Sequence, residues 1–217
     1  GVSPGSLWCN SIDFGGLFPM KRRFNDKARG IAKRKRKPVI FISLEGNNKT
    51  EKFYLLSLNK DMGEKYALQF TSGRETDLRN MWQSLHDLMR ESFSQEDEDK
   101  AYCVCDSDFE PYKLDRIREI RRSARQDSAR LIISNPSFEI WFLNHFKFST
   151  HPYGTFQELK SDLCSYIPCF EKNTDCYHSH LRTKTTDAIR NSARQISQAN
   201  MEHQSEVFVP GNPGTEV

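Results

Sequence analysis

The hydrophobic pattern beyond residue 38 alternates between short apolar runs and longer amphipathic segments. The apolar runs are rich in β-branched and aromatic residues and lie at 39–44, 65–71, 100–105 and 130–134. Such runs, bounded by turn residues, are typical of buried strands. Because segments with helical periodicity alternate with these runs, the pattern predicts an α/β fold with a mostly parallel sheet flanked by helices.

The spacing of the apolar residues predicts the helices between the strands. The first of them has Thr50 or Asn48 as its cap. The predicted helices cover 49–59, 75–93, a basic segment that ends near 125, an almost wholly apolar segment from 135–136 to 146, and polar helices within 151–200. The chain therefore divides into an arm at 1–37, an α/β core at 38–150 and a helical C-terminal extension at 151–217 that packs on the core.

Charge separates the arm from the rest of the chain. Residues 1–37 contain ten Lys and Arg against two Asp, whereas the remaining residues contain 22 basic and 27 acidic side chains. A basic arm of this composition is predicted to be disordered or loosely helical. It either contacts nucleic-acid phosphates or is a solvated leader, and Met20 offers an alternative start of the chain.

Cysteine usage and hydropathy set the expected compartment. No apolar run approaches the ~18 residues of a membrane span, and no secretion signal is evident, so the six Cys are expected to be reduced in a cytoplasmic protein. Cys103 and Cys105 fall on one face of a predicted strand. The cysteines and histidines within 164–180 do not have the spacing of standard zinc sites.

Acidic residues follow two of the predicted strands. Glu45 ends the first apolar run, and Asp106 and Asp108 end the third. In open α/β sheets ligands bind beyond the carboxyl ends of the strands, and residues two apart in an extended chain point the same way. Clustered carboxylates repel one another unless a cation neutralises them, and oxygen ligands suit Mg²⁺ or Mn²⁺. The alternative is that the two Asp are ordinary turn and helix-cap residues.

Four blocks of sequence resemble a known family. Residues 42–54 read ISLEGNNKTEKFY, 104–108 read VCDSD, 133–146 read ISNPSFEIWFLNHF, and 212–217 read NPGTEV. In this order they resemble the RloB-like family, which is found beside restriction and abortive-infection genes. More broadly, they resemble the Toprim domain of topoisomerases, primases and OLD-type nucleases. Ser107 departs from the family pattern, in which a basic residue is common at that position.

The resemblance implies roles for five carboxylates. Glu45 would act as general base or metal ligand, Asp106 and Asp108 would hold Mg²⁺, and Glu51 and Glu139 are candidates for a second metal site. Two metal ions could clamp the attacking and leaving oxygens of a phosphodiester. Glu139 lies in an otherwise apolar helix, where the alternative is a buried ion pair with an Arg. Glu51 would also be favoured in a first helical turn by the helix dipole alone.

Basic residues near these carboxylates are candidates for nucleic-acid contact. Lys49 could hold a phosphate, and Arg118, Arg122 and Arg125 share one face of the basic helix. The alternative is a solvated face paired with the acidic loop at 96–99. His145 is predicted to be a packed, hydrogen-bonded histidine rather than a catalytic acid.

The resemblance implies a Toprim-fold, Mg²⁺- or Mn²⁺-dependent nuclease that hydrolyses RNA, including tRNA, or DNA as an effector of bacterial antiphage defence. An ABC-type ATPase partner is implied in the same way, and the chain contains no G-x4-G-K-[ST] motif that would supply this ATPase itself. The alternative function is a non-catalytic module that binds nucleic acid or a partner. Nucleotidyl transfer ranks last, because it would need a nucleotide pocket.

Overall fold

A computed structural model of the chain describes residues 36–46, 49–108, 111–124, 127–203 and 214–217. The strands are β1 (Val39–Leu44), β2 (Ala67–Phe70), β3 (Lys100–Asp106), β4 (Ala129–Asn135) and β5 (Gly214–Thr215). The helices are α1 (Thr50–Asp61), α2 (Leu78–Arg90), α3 (Pro111–Ala124), α4 (Glu139–Asn144), α5 (Phe156–Cys164) and α6 (Thr185–His203). A π-helical turn (Tyr177–Leu181) and a 3₁₀ turn (Arg182–Lys184) precede α6. Most of the predicted arm, at 1–35, lies outside the described residues.

The strands form one sheet in the order β2-β1-β3-β4-β5. The first four strands run parallel, and only β5 is antiparallel to its neighbour. Helices flank the sheet and also make up most of the C-terminal part, which confirms the predicted mostly parallel α/β sheet with a helical C-terminal part. β5 was not predicted, because a strand of two residues has no periodicity that a sequence could show.

Alternation along the strands builds a hydrophobic core on each face of the sheet. On one face Phe41 and Ile133 pack with α2 and α3, and on the other Ile42 and Val104 pack with α1 and α4. The strands are covered on both sides, which is why they read as continuous apolar runs. Cys103 and Cys105 are both buried in the first of these cores, as their spacing predicted.

Helix α4 is shorter than the sequence pattern predicted. It begins at Glu139 rather than at residue 136, and it ends at Asn144 rather than at 146. The backbone carbonyl of Pro136 accepts a hydrogen bond from the Asp108 N–H instead of starting a helical ladder. The segment between β4 and α4 is therefore used to hold the residues that follow β3.

The C-terminal part holds the start of α1. Thr50 was predicted as a cap of this helix but is its first helical residue, so that prediction is wrong. The other predicted cap, Asn48, lies outside the described residues. Asn173 takes their place, because its side-chain oxygen accepts from the Lys49 N–H at 2.7 Å and its own N–H donates to the Thr50 hydroxyl at 2.9 Å. This pair of hydrogen bonds fixes the first turn of α1 and with it Glu51.

Within the described ranges, no helix combines the length and the apolar character needed to cross a bilayer.

Two isoleucines offer a matched test of this core. Ile133→Ala is expected to lower the free energy of unfolding by about 2–5 kcal/mol, because Ile133 is fully buried in β4. Ile189→Ala should change it by less than about 0.5 kcal/mol, because Ile189 is 59% exposed on α6. Urea denaturation of both variants measures the difference, and equal effects would contradict the placement of β4 in the core.

Candidate functional site

Five carboxylates lie at or beside the carboxyl ends of the parallel strands, and we call them the carboxylate cluster. Glu45 follows β1 directly, Asp106 is the last residue of β3, and Asp108 lies two residues beyond it. Glu51 lies in the first turn of α1 and Glu139 is the first residue of α4. All five are candidates from the sequence, and the charges of the other four all act on Asp106.

Hydrogen bonds join the four sequence blocks at this edge of the sheet. Ser107 donates its hydroxyl to the Asn135 side chain at 2.5 Å, and the Ser107 N–H donates to the Ser134 carbonyl at 2.9 Å. The Ser134 and Thr215 hydroxyls are 2.8 Å apart. The Asp106 N–H donates to a Glu45 carboxylate oxygen at 3.1 Å. Segments that are distant in sequence are thus tied together around the carboxylates.

Asp108 does not have the extended conformation on which its predicted alignment with Asp106 depended. Its φ of 47° is in the left-handed region, which Asp adopts more readily than most residues. The side chain is 49% exposed, whereas the Asp106 residue is only 7% exposed. The two carboxylates of the Asp-x-Asp motif therefore have different surroundings.

The ammonium of Lys113 bridges Glu45 and Asp108. Its Nζ lies 2.8 and 3.0 Å from the two Glu45 oxygens and 2.6 Å from Asp108 Oδ2. The Lys113 side chain is only 8% exposed. Burial works to lower the pKa of Lys113, but the hydrogen bonds to Asp108 and Glu45 outweigh it and raise this pKa above its ordinary value.

Lys113 was not among the site residues predicted from the sequence, although its spacing from apolar residues of α3 indicates that it is buried. Ile117 and Ile120 follow it at i+4 and i+7 and pack against the sheet, so Lys113 lies on the buried side of α3. A positive charge in the first turn of a helix is opposed by the helix dipole. A lysine on the apolar side of a first turn therefore indicates carboxylate partners outside the helix.

Burial changes the protonation of two members of the carboxylate cluster. It raises the pKa of the Asp106 carboxyl well above its ordinary value, and the nearby negative charges of Glu51 and Glu139 raise it further. Burial also raises the pKa of Glu51 to about 7, with a smaller contribution from Glu139. Both groups would be easier to ionise if a cation lay beside them.

Glu139 is completely buried, and its two oxygens have different neighbours. Oε2 accepts a hydrogen bond from the Ser137 hydroxyl at 2.7 Å. Oε1 has no hydrogen bond within the described part of the chain and lies 3.7 Å from the ammonium of Lys172. The ion pair that the sequence allowed as an alternative is therefore present at long range, with a lysine rather than an arginine.

The donor set suits a hard divalent cation, because it consists of carboxylate oxygens and includes the buried Glu139 Oε1 without a hydrogen bond. Among the described residues, however, no three side chains of Asp, Glu, His or Cys lie close enough together to hold a metal ion. The cysteines and histidines at 164–180 form no such group either. Between Glu45 and Asp108 a lysine ammonium supplies the positive charge instead.

A small cavity of about 140 Å³ lies beside the carboxylate cluster on the side of β2. It is lined by Lys49 and Lys52, by the end of β2 and the loop after it, and by Gly46, which follows Glu45 directly. Among the described residues neither lysine has an ion-pair partner, and Lys52 lies over the Phe70 ring at 5.0 Å. A larger, mostly apolar cavity of about 430 Å³ contains none of the five carboxylates.

The arginines of α3 are largely engaged with neighbouring groups. Arg118 pairs with Asp115 at 3.0 Å, and Arg122 donates to the Arg118 carbonyl at 3.3 Å. Arg125 lies outside the described residues. In the acidic loop at 96–99, Asp97 and Asp99 pair with Arg36.

His145 is a packed side chain, as predicted. It is 1% exposed, its Nδ1 lies 2.9 Å from the Trp141 carbonyl, and its Nε2 lies 3.4 Å from the Tyr54 hydroxyl. Burial lowers its pKa to about 4, so the ring is neutral at pH 7.

The raised pKa of Glu51 predicts a pH-dependent stability in EDTA. A carboxyl whose folded pKa is about 7 stabilises the fold while it is protonated, and this contribution is lost as the pH rises from about 4.5 through 7. At pH 8 the loss is on the order of 3 kcal/mol. Thermal unfolding is therefore expected at a higher temperature at pH 6 than at pH 8, and Glu51→Gln should reduce this difference. An undiminished difference in the variant would contradict the assignment to Glu51.

Comparison with known proteins identifies the family of this chain. The model of the family described as RloB-like protein matches residues 40–217, which include all five carboxylates and Lys113. Neither the curated proteins nor the solved structures gave a match. The matched range covers most of the chain, and the chain therefore belongs to the RloB-like protein family.

Proposed function

We propose that this chain is a metal-dependent nuclease that hydrolyses phosphodiester bonds of RNA or DNA, with Mg²⁺ or Mn²⁺ held by the carboxylate cluster. The observation that carries this proposal is the concentration of five carboxylates at the carboxyl edge of a parallel sheet, where burial and nearby negative charge disfavour the ionised forms of Asp106 and Glu51. An arrangement that costs stability in this way is typical of functional sites. Asp106, Glu51 and Glu139 would hold the ion, and Glu45 and Asp108, which both pair with Lys113, would lie beside it.

The chemistry follows from what each group can do. A divalent ion would polarise the phosphodiester and activate water. Asp106 and Glu51, which are protonated more readily than ordinary carboxyls, would become anionic ligands when the ion supplies positive charge. Glu45 is 20% exposed, so it is accessible as a base beside the ion.

The nucleic acid would approach along the carboxyl edge of the sheet. Lys49 and Lys52 lie at the start of α1 and are exposed. They line the same cavity as Gly46, the residue after Glu45, so they are candidates to contact phosphates that flank a bond held at Glu45. Arg118 and Arg122 extend the basic surface on the side of α3.

The biological setting is proposed from the family. An RloB-like nuclease would act as an effector of bacterial antiphage defence, in the cytoplasm, together with an ABC-type ATPase. tRNA is a suitable RNA substrate for such an effector. The family membership is consistent with a protein of a defence locus, and the carboxylate cluster supplies the chemistry.

Asp106→Asn is expected to reduce Mg²⁺-dependent cleavage by roughly 100-fold or more, because it removes an anionic ligand from the centre of the carboxylate cluster. The fold should be retained, since the buried carboxyl is already favoured in its neutral form and an amide has nearly the same shape. Cleavage of total tRNA, single-stranded RNA and plasmid DNA measures the effect.

Asp87→Asn is the matched control, because Asp87 is a half-exposed carboxylate on α2 that pairs with Gln83 and Arg90 of the same helix. It should cleave like the wild type. Wild-type cleavage by Asp106→Asn would show that the metal assignment is wrong.

The double variant Lys49→Met/Lys52→Met is expected to bind single-stranded RNA or DNA more weakly, with a smaller dependence on salt. Each phosphate contact that is lost should reduce the slope of log K against log salt by roughly 0.7. Fluorescence anisotropy in EDTA measures binding without cleavage. Lys60→Met/Lys100→Met removes two exposed lysines elsewhere and should leave the slope unchanged. Equal slopes for the two double variants would show that Lys49 and Lys52 do not contact the nucleic acid.

One observation favours a second function, a non-catalytic module that binds nucleic acid or a partner protein. Lys113 already neutralises two of the five carboxylates, so part of the carboxylate cluster could be structural. In that case Asp106→Asn would protect cells against phage as well as the wild type does. Loss of protection by this variant, together with retained nucleic-acid binding, favours the nuclease.

A further inference from the structure

The carboxylate cluster consists of two parts with different charge balance. Glu45 and Asp108 share the ammonium of Lys113 at hydrogen-bond distance. Asp106 and Glu139 have no lysine or arginine this close within the described residues, where Lys172 approaches Glu139 only to 3.7 Å. Positive charge is therefore already provided at one part of the carboxylate cluster and is scarce at the other.

Lys113 is held firmly in this place. Its stem lies on the buried side of α3 with Ile117 and Ile120, and only 8% of the side chain is exposed. Three contacts of 2.6 to 3.0 Å satisfy the ammonium, which has three protons to donate. A lysine that pairs by chance at a surface does not combine this burial with this saturation.

An ammonium and a divalent cation would both bind the same carboxylate oxygens of Glu45 and Asp108. A divalent ion that bridged Glu45 and Asp108 would need the carboxylate oxygens that now face Lys113 Nζ, at distances of about 2.0–2.6 Å. The two cations cannot occupy that space together. Two-metal sites that cleave phosphodiesters use the second ion to neutralise charge beside the first, which a fixed ammonium can also do.

We propose that Lys113 is a positioning residue that takes the place of one divalent cation in the carboxylate cluster. It keeps Glu45 and Asp108 paired with an ammonium, so that only the part formed by Asp106, Glu51 and Glu139 is open to a divalent ion. The inference rests on the proposed function only for the claim that the remaining part binds metal. The exclusion of an ion from the Glu45–Asp108 pair stands on the contacts of Lys113 itself.

The test is the number of Mn²⁺ ions bound per chain, from the electron paramagnetic resonance signal of free Mn²⁺ during a titration of full-length protein. Lys113→Met is expected to bind one Mn²⁺ more than the wild type does. Lys113→Gln should show the same gain, because it also removes the ammonium and its side chain is shorter. Its polar amide provides a second test in case Lys113→Met misfolds. Lys113→Arg keeps the charge and should bind the wild-type number.

Lys172→Met is the matched control, because it removes a positive charge near the same carboxylates without opening the space between Glu45 and Asp108. It should bind the wild-type number of ions. An unchanged or smaller number in Lys113→Met and Lys113→Gln would overturn the proposal, and so would an equal gain in Lys172→Met, which would show a general effect of charge.

The same titration separates this inference from the proposed function. The difference between the Lys113 variants and the wild type tests the role of Lys113. The number bound by the wild type tests the metal-dependent nuclease. A wild-type number of zero with a gain of one in Lys113→Gln would support the role of Lys113 and contradict metal-dependent catalysis by the native chain.

Discussion

Electrostatic repulsion among carboxylates at one edge of the sheet is the constraint on which the site depends. Asp106 is buried within reach of four other acidic side chains, and its carboxyl is held toward the neutral form. Burial has a similar effect on Glu51. While the carboxylates are ionised, positive charge beside them relieves this repulsion. Lys113 supplies it directly to Glu45 and Asp108, and Lys172 does so at longer range for Glu139.

The fold delivers these groups by joining segments that are far apart in sequence. Parallel strands end at a common edge, so the residues after β1, β3 and β4 meet there. Asn135 at the end of β4 and Pro136 directly after it hold the Asp-x-Asp motif, and the last residues return as β5 beside β4. Asn173 fixes the start of α1 from the C-terminal part. The carboxylate cluster is therefore supported by most of the described chain.

The sequence was sufficient to predict the four parallel strands, because strands buried on both faces are recognisable apolar runs. It also identified Glu45, Asp106 and Asp108 from their positions at strand ends, and family resemblance added Glu51 and Glu139. The left-handed conformation of Asp108 could not be predicted, since it depends on a hydrogen bond to Pro136 across the sheet edge. Lys113 was missed because its partners come from segments five and 68 residues away, although its spacing from Ile117 indicated burial. The cap of α1 was mispredicted for the same reason, as Asn173 is 123 residues from Thr50.

Added divalent charge is expected to relieve the repulsion within the carboxylate cluster. The melting temperature of the wild-type chain at pH 8, with MgCl₂ or MnCl₂ compared with NaCl at equal ionic strength, measures this effect. An ion that binds only the folded chain stabilises it by RT ln(1 + [L]/Kd). We expect a saturable rise in melting temperature with millimolar divalent salt, beyond that in NaCl. Identical melting temperatures in the two salts at every concentration would contradict it.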